Sequence, residues 1–187
     1  MSSKYLKEVV ESDLFRYFGK ISLKSFIFAL LKIPGFRFTF FFRLSSFFSK
    51  KNPVYYLNQL LYRRYFFKYG IQIPISTTIG RGFYIGHFGN IVINGQVKIG
   101  DNCNISNGVT IGQTNRGDKA GVPTIGNLVW IGVNSVIVGK IKIGNNVLVA
   151  PNSFVNTDVP DNSIVIGNPA KIIKKISATQ GYINNKS

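Results

Sequence analysis

Residues 123–155 read PTIGNLVWIGVNSVIVGKIKIGNNVLVAPNSFV. Within this stretch Ile125, Ile131, Ile137, Ile143, Val149 and Val155 recur every six residues. A glycine or other small residue often follows, as at Gly126, Gly132, Gly144 and Ala150. Val129, Ile141 and Val147 form a second apolar track between them. A six-residue period is too short for a helix pair and too regular for a sandwich, and it suits a parallel β-helix of hexapeptides. Each short strand points an aliphatic inward, and three hexapeptides close one triangular coil. Small residues fit the crowded corners, and asparagine fits too because it tolerates left-handed backbone. The segments GDNCN, GNN and PNS fall where corners belong.

The rhythm extends upstream. Ile79, Ile85, Ile91 and Val97 form one series, and Ile93, Ile99, Ile105 and Ile111 another, offset by two. The offset near Ile91 marks an inserted pair of residues just after His87, the one histidine of the chain. Between Gly112 and Pro123 the pattern stops, and GQTNRGDKAGVP reads as a polar, basic loop thrown out from the prism. Loops on rigid scaffolds often carry function. About five coils are expected, and a prism of this kind commonly buries a face by oligomerising.

Residues 1–70 have a different chemistry. They hold 13 Lys and Arg against 3 acids, a net of +10, and 20 of the 25 Phe and Tyr residues. Residues 71–187 hold 16 of the 19 glycines. Proline and glycine punctuation predicts helices: one from Ser12 or Asp13 to Gly19, one running to Pro34, one from Pro34 to before Pro53, and one from Pro53 to Gly70. In the third, FRFTF alternates like a strand, so its type stays open. The organisation expected is a basic, aromatic helical segment over 1–70, a β-helix over 71–175 and a tail over 176–187. The fold class is mainly β: a left-handed parallel β-helix with an N-terminal helical segment and one extruded loop.

The formal charge is +16 over 187 residues. Arg37, Arg43, Lys50, Lys51, Arg63 and Arg64 lie among the N-terminal aromatics, which suits a helix lying in the plane of an anionic membrane. The competing reading packs the aromatics on the prism or on a neighbouring subunit. No nucleic-acid recognition motif accompanies the charge, so nucleic acid is not a predicted partner. No run of about 18 apolar residues predicts a spanning helix. The N-terminus lacks the order of a secretory signal, and the lone Cys103 suits a reducing compartment. The expected location is cytoplasmic or peripheral at the inner face of the cell membrane.

Four segments, IGHFGNIVIN, ISNGVTIGQ, the stretch from Pro123 to Val155, and IVIGNPAKII, together resemble the hexapeptide-repeat acyltransferases. Within these the chain is similar to the serine acetyltransferase-like enzymes, especially those that O-acetylate capsular and exopolysaccharide sugars. The resemblance implies an acetyl-CoA-dependent homotrimer with sites between neighbouring prisms. It places His87 at the catalytic histidine, and Gly112, Trp130, Gly132, Ala150 and Lys171 along the coenzyme path. Arg116 and Lys119 in the loop are candidates for contact with the acceptor or with a coenzyme phosphate. Where serine acetyltransferases carry an aspartate just before the histidine, this chain has Gly86; an orienting aspartate aligns with Gln72, and a second histidine with Val122. These departures argue against L-serine as acceptor and leave the imidazole's orienting partner to Gln72 or a backbone carbonyl.

Transfer of an acetyl group from a thioester to a hydroxyl needs a base, a donor for the oxyanion and two substrates held in line. Imidazole suits the first role. Backbone N–H groups near Gly112 are candidates for the second. No metal is expected, since a metal-dependent β-helix site of the carbonic anhydrase type needs three histidines. The function expected is O-acetylation of a sugar hydroxyl on a polysaccharide or its lipid-linked precursor. A small-molecule acceptor such as serine or a free sugar is the alternative within the same chemistry, and a non-catalytic membrane-bound scaffold is the alternative outside it.

Overall fold

The computed structural model describes residues 3–48 and 51–187. Four helices come first: α1 (Ser3–Phe18), α2 (Leu23–Lys32), α3 (Pro34–Phe47) and α4 (Pro53–Lys68). Fifteen short strands follow and sort into three sheets. Sheet A stacks β1 (Ile71–Gln72), β4 (Ile91–Ile93), β7 (Thr110–Gly112), β10 (Val136–Val138) and β13 (Phe154–Val155). Sheet B stacks β2 (Thr78–Ile79), β5 (Lys98–Ile99), β8 (Thr124–Ile125) and β11 (Lys142–Ile143). Sheet C stacks β3 (Tyr84–Ile85), β6 (Asn104–Ile105), β9 (Val129–Ile131), β12 (Val147–Val149), β14 (Ser163–Ile166) and β15 (Lys171–Lys174). All pairings are parallel except β14 with β15. The chain visits the sheets in the order A, B, C once per coil, which is a parallel β-helix of about five turns, left-handed as the six-residue repeat implies.

The register stacks the six-residue series directly. Ile91 pairs with Ile71, Ile93 with Ile111, Ile111 with Ile137, and Ile137 with Val155. All are buried. Each such aliphatic contributes about 1.5–3 kcal/mol by leaving water, so the inward columns dominate the fold's stability. One corner column, between sheets B and C, holds Gly82, Asn102, Leu128, Asn146 and Asn162, all at φ between 52° and 64°. Glycine and asparagine take this left-handed backbone readily; Leu128 is the exception.

The first coil has no coil beneath it, so its backbone groups face the helices. Side chains cap them in place of a strand. Tyr62 donates to the Ile73 carbonyl. Arg43 donates to the carbonyls of Ile79 and Gly80, both at 2.6 Å. Arg16 donates to Gly82 at 2.7 Å, Asp13 accepts from the Phe83 N–H at 2.8 Å, and Tyr17 bonds both backbone groups of Ile85. An open sheet edge is a site of uncontrolled pairing, and these helices close it. Arg43 also pairs with Asp13, Nε to Oδ2 at 2.9 Å, and both are buried. Burial raises the Asp13 carboxyl above its ordinary range, while the Arg43 guanidinium and the Phe83 N–H oppose that shift.

The helices depart from their sequence reading in two places. Helix α1 begins at Ser3, not at Ser12 or Asp13, because Asp13 is a buried mid-helix residue spent on Arg43 and Phe83 rather than a cap. The ambiguous FRFTF segment is helical. Phe36, Phe38 and Phe42 are buried, and Phe40 and Phe41 pack around them, because α3 lies between the other helices and the prism. Its arginines point inward as well: Arg37 donates to the carbonyls of Leu30 and Leu31 and to the Tyr69 hydroxyl. Arg37 and Arg43 are therefore structural donors, while Arg63 and Arg64 are exposed and Lys50 lies outside the described residues.

Candidate active site

His87 stands on the prism edge where sheet C turns into sheet A. From Ile85, the last inward residue of sheet C, to Ile91, the first of sheet A, the chain takes six positions. The corresponding steps 105–109, 131–135 and 149–153 take four. The two extra residues bow this corner outward, with Gly89 at φ 116° and Asn90 at φ 53°. The imidazole is exposed, and among the described residues no group of the same chain, Gln72 included, hydrogen-bonds to it. The backbone around it is well held. Ile85 is bonded by Tyr17, the Gly89 carbonyl accepts from the Gly108 N–H at 2.9 Å, and the Ile91 N–H donates to Gly70 at 3.0 Å. Beside it the Phe88 ring lies 5.2 Å from that of Tyr69.

The corners above His87 stack along the same edge: Ser106 to Gly108, Gly132 to Asn134, Ala150 to Asn152, and Gly167 to Ala170. Asn134 N–H to Asn107, Asn152 N–H to Val133 and Phe154 N–H to Gly167 link them at 2.9–3.1 Å. The edge thus carries His87, Gly132 and Ala150 in one line, with Lys171 opening β15 just past its end. At Gly132 a Cβ would meet the Pro151 nitrogen at 2.6 Å and the Trp130 ring at 2.9 Å, so only glycine fits. Small residues recur along this edge, and the exposed lysines of β15 lie just beyond its end.

The other residues singled out in the sequence go elsewhere. Trp130 is half-buried on the outside of sheet C, and its ring packs on Tyr182 of the C-terminal tail at 4.9 Å. Gly112 ends β7 on the opposite edge of sheet A, where the loop emerges. A bridge between Thr114 and Gly121 closes that loop, and the Lys140 N–H donates to Lys119. The Lys119 ammonium is itself bonded to the Asn156 carbonyl at 2.8 Å, which ties the loop to its own prism. Arg116 is exposed at the tip. Within one chain, then, His87, Gly132 and Ala150 lie on one edge of sheet A, Gly112, Arg116 and Lys119 lie at the other, and Trp130 and Lys171 belong to sheet C. Cys103 is wholly buried in the inward register, its thiol beside the Gly126 carbonyl at 3.2 Å, and burial pushes it up to about 12. It is a core residue with no reactive thiolate.

The residues the sequence did not reveal are the caps that hold the first coil on either side of β3, ahead of the histidine corner. Asp13, Arg16 and Tyr17 share one helical face at spacings of three and four, which is a legible polar face. Its partners are 66 to 88 positions away in sequence, which no local pattern discloses.

A family profile described as bacterial transferase hexapeptide (six repeats) matches residues 123–157. A serine acetyltransferase of Helicobacter pylori is 34% identical over 146 residues, covering 78% of this chain and 85% of that protein. The putative colanic acid biosynthesis acetyltransferase WcaB of Escherichia coli is 43% identical over 105 residues, covering 56% of this chain and 64% of its own. Among solved structures, serine acetyltransferase from Brucella abortus in complex with coenzyme A superposes with a TM-score of 0.79 at 26% identity, covering 95% of this chain and 71% of that one. The Neisseria gonorrhoeae serine acetyltransferase in complex with serine gives 0.75 at 29% identity, covering 92% and 70%.

Proposed function

This chain belongs to the hexapeptide-repeat acetyltransferases, the family of the serine acetyltransferases, and from that premise we propose that it moves an acetyl group from acetyl-CoA to a sugar hydroxyl of a polysaccharide or its lipid-linked precursor, with His87 as general base. The observation that carries this reading is the corner itself. One exposed imidazole sits on a bowed corner, its backbone fixed on both sides and its ring nitrogens free for substrate.

Acetyl-CoA is the co-substrate. Its pantetheine arm would lie along the edge past Gly132 and Ala150, and Lys171 would meet its phosphates, where a flexible ammonium suffices. His87 takes the proton of the acceptor hydroxyl as its oxygen bonds to the thioester carbonyl carbon. The tetrahedral oxyanion then collapses, the carbon–sulfur bond breaks, and the imidazolium returns the proton to the departing thiolate. No covalent enzyme intermediate is required. A homotrimer would set the His87 edge of one prism against the loop edge of the next, which would bring Arg116 and the Gly112 region of one copy to the acceptor beside His87 of another. A lipid-linked acceptor would put the reaction at the inner face of the cell membrane.

Gly86 and Gln72 stand where the serine enzymes carry aspartates, which supports a sugar over an amino acid. Serine remains the second reading, favoured by the 34% identity with a serine acetyltransferase across most of both chains. Release of free coenzyme A thiol with L-serine, free sugars, exopolysaccharide and lipid-linked oligosaccharide as acceptors separates the two. Turnover with a sugar-bearing acceptor and not with serine is expected; preference for serine overturns the assignment. His87→Ala should lose turnover at least about a hundredfold while still binding coenzyme A.

A further inference from the structure

Helix α2 buries only Ser25 and Ala29. Its other side presents Leu23 at 74% exposure, Ile27 at 48%, Phe28 at 52% and Leu31 at 65%, with Ile21 just ahead at 53%. Leu23, Ile27 and Leu31 fall four apart and Phe28 lies three before Leu31, so on the helix they form one continuous apolar face. Lys20, Lys24 and Lys32 are exposed along its margin. No acidic residue occurs anywhere between Asp13 and Asp101, so α2, α3 and α4 carry cations without a single carboxylate.

We propose that α2 lies in the plane of an anionic phospholipid surface, with Leu23, Ile27, Phe28 and Leu31 in the acyl boundary and the three lysines at the headgroups. Three observations select a bilayer over a protein partner or a span. Ten residues at about 1.5 Å each make a helix about 15 Å long, half of the about 30 Å hydrocarbon core, so α2 is too short to cross. The following helix α3 turns away by 104° and buries its aromatics between the prism and the other helices, so the two do not form one span. An apolar face bordered by lysines and free of carboxylates is complementary to negative headgroups, and lysine stems can lie along the apolar surface while their ammonium groups reach the phosphates. The inference suits a lipid-linked acceptor, but it stands on this surface alone and not on His87.

Flotation of the full chain with phosphatidylcholine vesicles, with and without phosphatidylglycerol, tests it. The wild-type chain should float with the phosphatidylglycerol vesicles, and less so as salt rises. Ile27→Glu with Leu31→Glu, both at exposed positions, should cut the bound fraction about tenfold. Its thermal melt and its binding of coenzyme A should stay unchanged. Lys20→Gln, Lys24→Gln and Lys32→Gln together should remove the preference for phosphatidylglycerol. The proposal fails if the α2 double variant floats like wild type, or if the wild-type chain floats with neither vesicle. It also fails if the double variant instead splits a larger oligomer into a smaller one, which would give the face to a second copy of the chain. Loss of coenzyme A binding by the wild-type protein would sink the acetyltransferase reading and leave this one standing.

Discussion

The hydroxyl of Tyr17 donates to the carbonyl of Ile85 at 3.0 Å and accepts from the N–H of the same residue at 3.2 Å. One phenol thereby replaces the strand missing below β3, two residues ahead of His87. Burial raises this phenol above its ordinary range, so it keeps the proton it donates. The ring is wedged between Tyr84, at 4.4 Å, and Phe36, at 5.9 Å. The helical segment is therefore the floor on which the histidine corner is built.

Tyr17→Phe removes the hydroxyl and leaves both backbone groups of Ile85 without a partner. The cost should be about 1–3 kcal/mol, read as a lower unfolding midpoint. If Tyr17 positions His87, kcat falls while KM for acetyl-CoA holds, because the proposed coenzyme path lies on later coils. An unchanged kcat would show that the corner does not need this support.

Gly35 tests the same corner from α3. A Cβ there would lie 2.1 Å from the Ile85 carbonyl oxygen and 3.0 Å from its Cβ, with backbone on one side and a buried core residue on the other. Gly35→Ala must push α3 off the prism. We expect it to destabilise the chain by about 1–3 kcal/mol, despite alanine's better helix propensity. A midpoint equal to or above wild type would contradict the packing described.

Leu128 holds φ 54° in a column otherwise made of glycine and asparagine. Left-handed backbone costs a branched residue about 1–2 kcal/mol. Leu128→Asn should therefore raise the unfolding midpoint by the equivalent of about 1 kcal/mol, measured by thermal or denaturant melting. A lower midpoint would mean that the apolar contact under the C-terminal tail outweighs the strain.

Cys103 should resist alkylation in the native protein. An ordinary thiol near 9 is half ionised at pH 9, whereas this one is pushed up to about 12 and stays protonated. Protection is complete below 9 and is lost as pH rises toward 12. Iodoacetamide labelling followed by mass spectrometry at pH 9, with and without denaturant, checks this, and Cys103→Ala should keep acetyl transfer. Rapid native labelling would refute the buried placement.

The amino-acid sequence alone determined the prism. Inward and outward positions alternate locally, so a period of six residues shows directly in the spacing of Ile125, Ile131, Ile137 and Ile143. The shifted series near Ile91 likewise disclosed the longer corner at His87, and the break after Gly112 disclosed the loop. Asn102, Asn146 and Asn152 marked corners because their left-handed backbone is a single-residue property. What only the tertiary structure decided depends on partners far apart in the chain. Arg43 reads as one more surface cation until Asp13, Ile79 and Gly80 surround it. Asp13 reads as a helix cap until Phe83 and Arg43 claim its oxygens. Trp130 reads as one more outward position of the repeat until Tyr182, folded back from the tail, packs on its ring. Sequence spacing carries the geometry of one coil onto the next, but it does not say which side chain a helix sixty or more residues away will present to an unpaired strand.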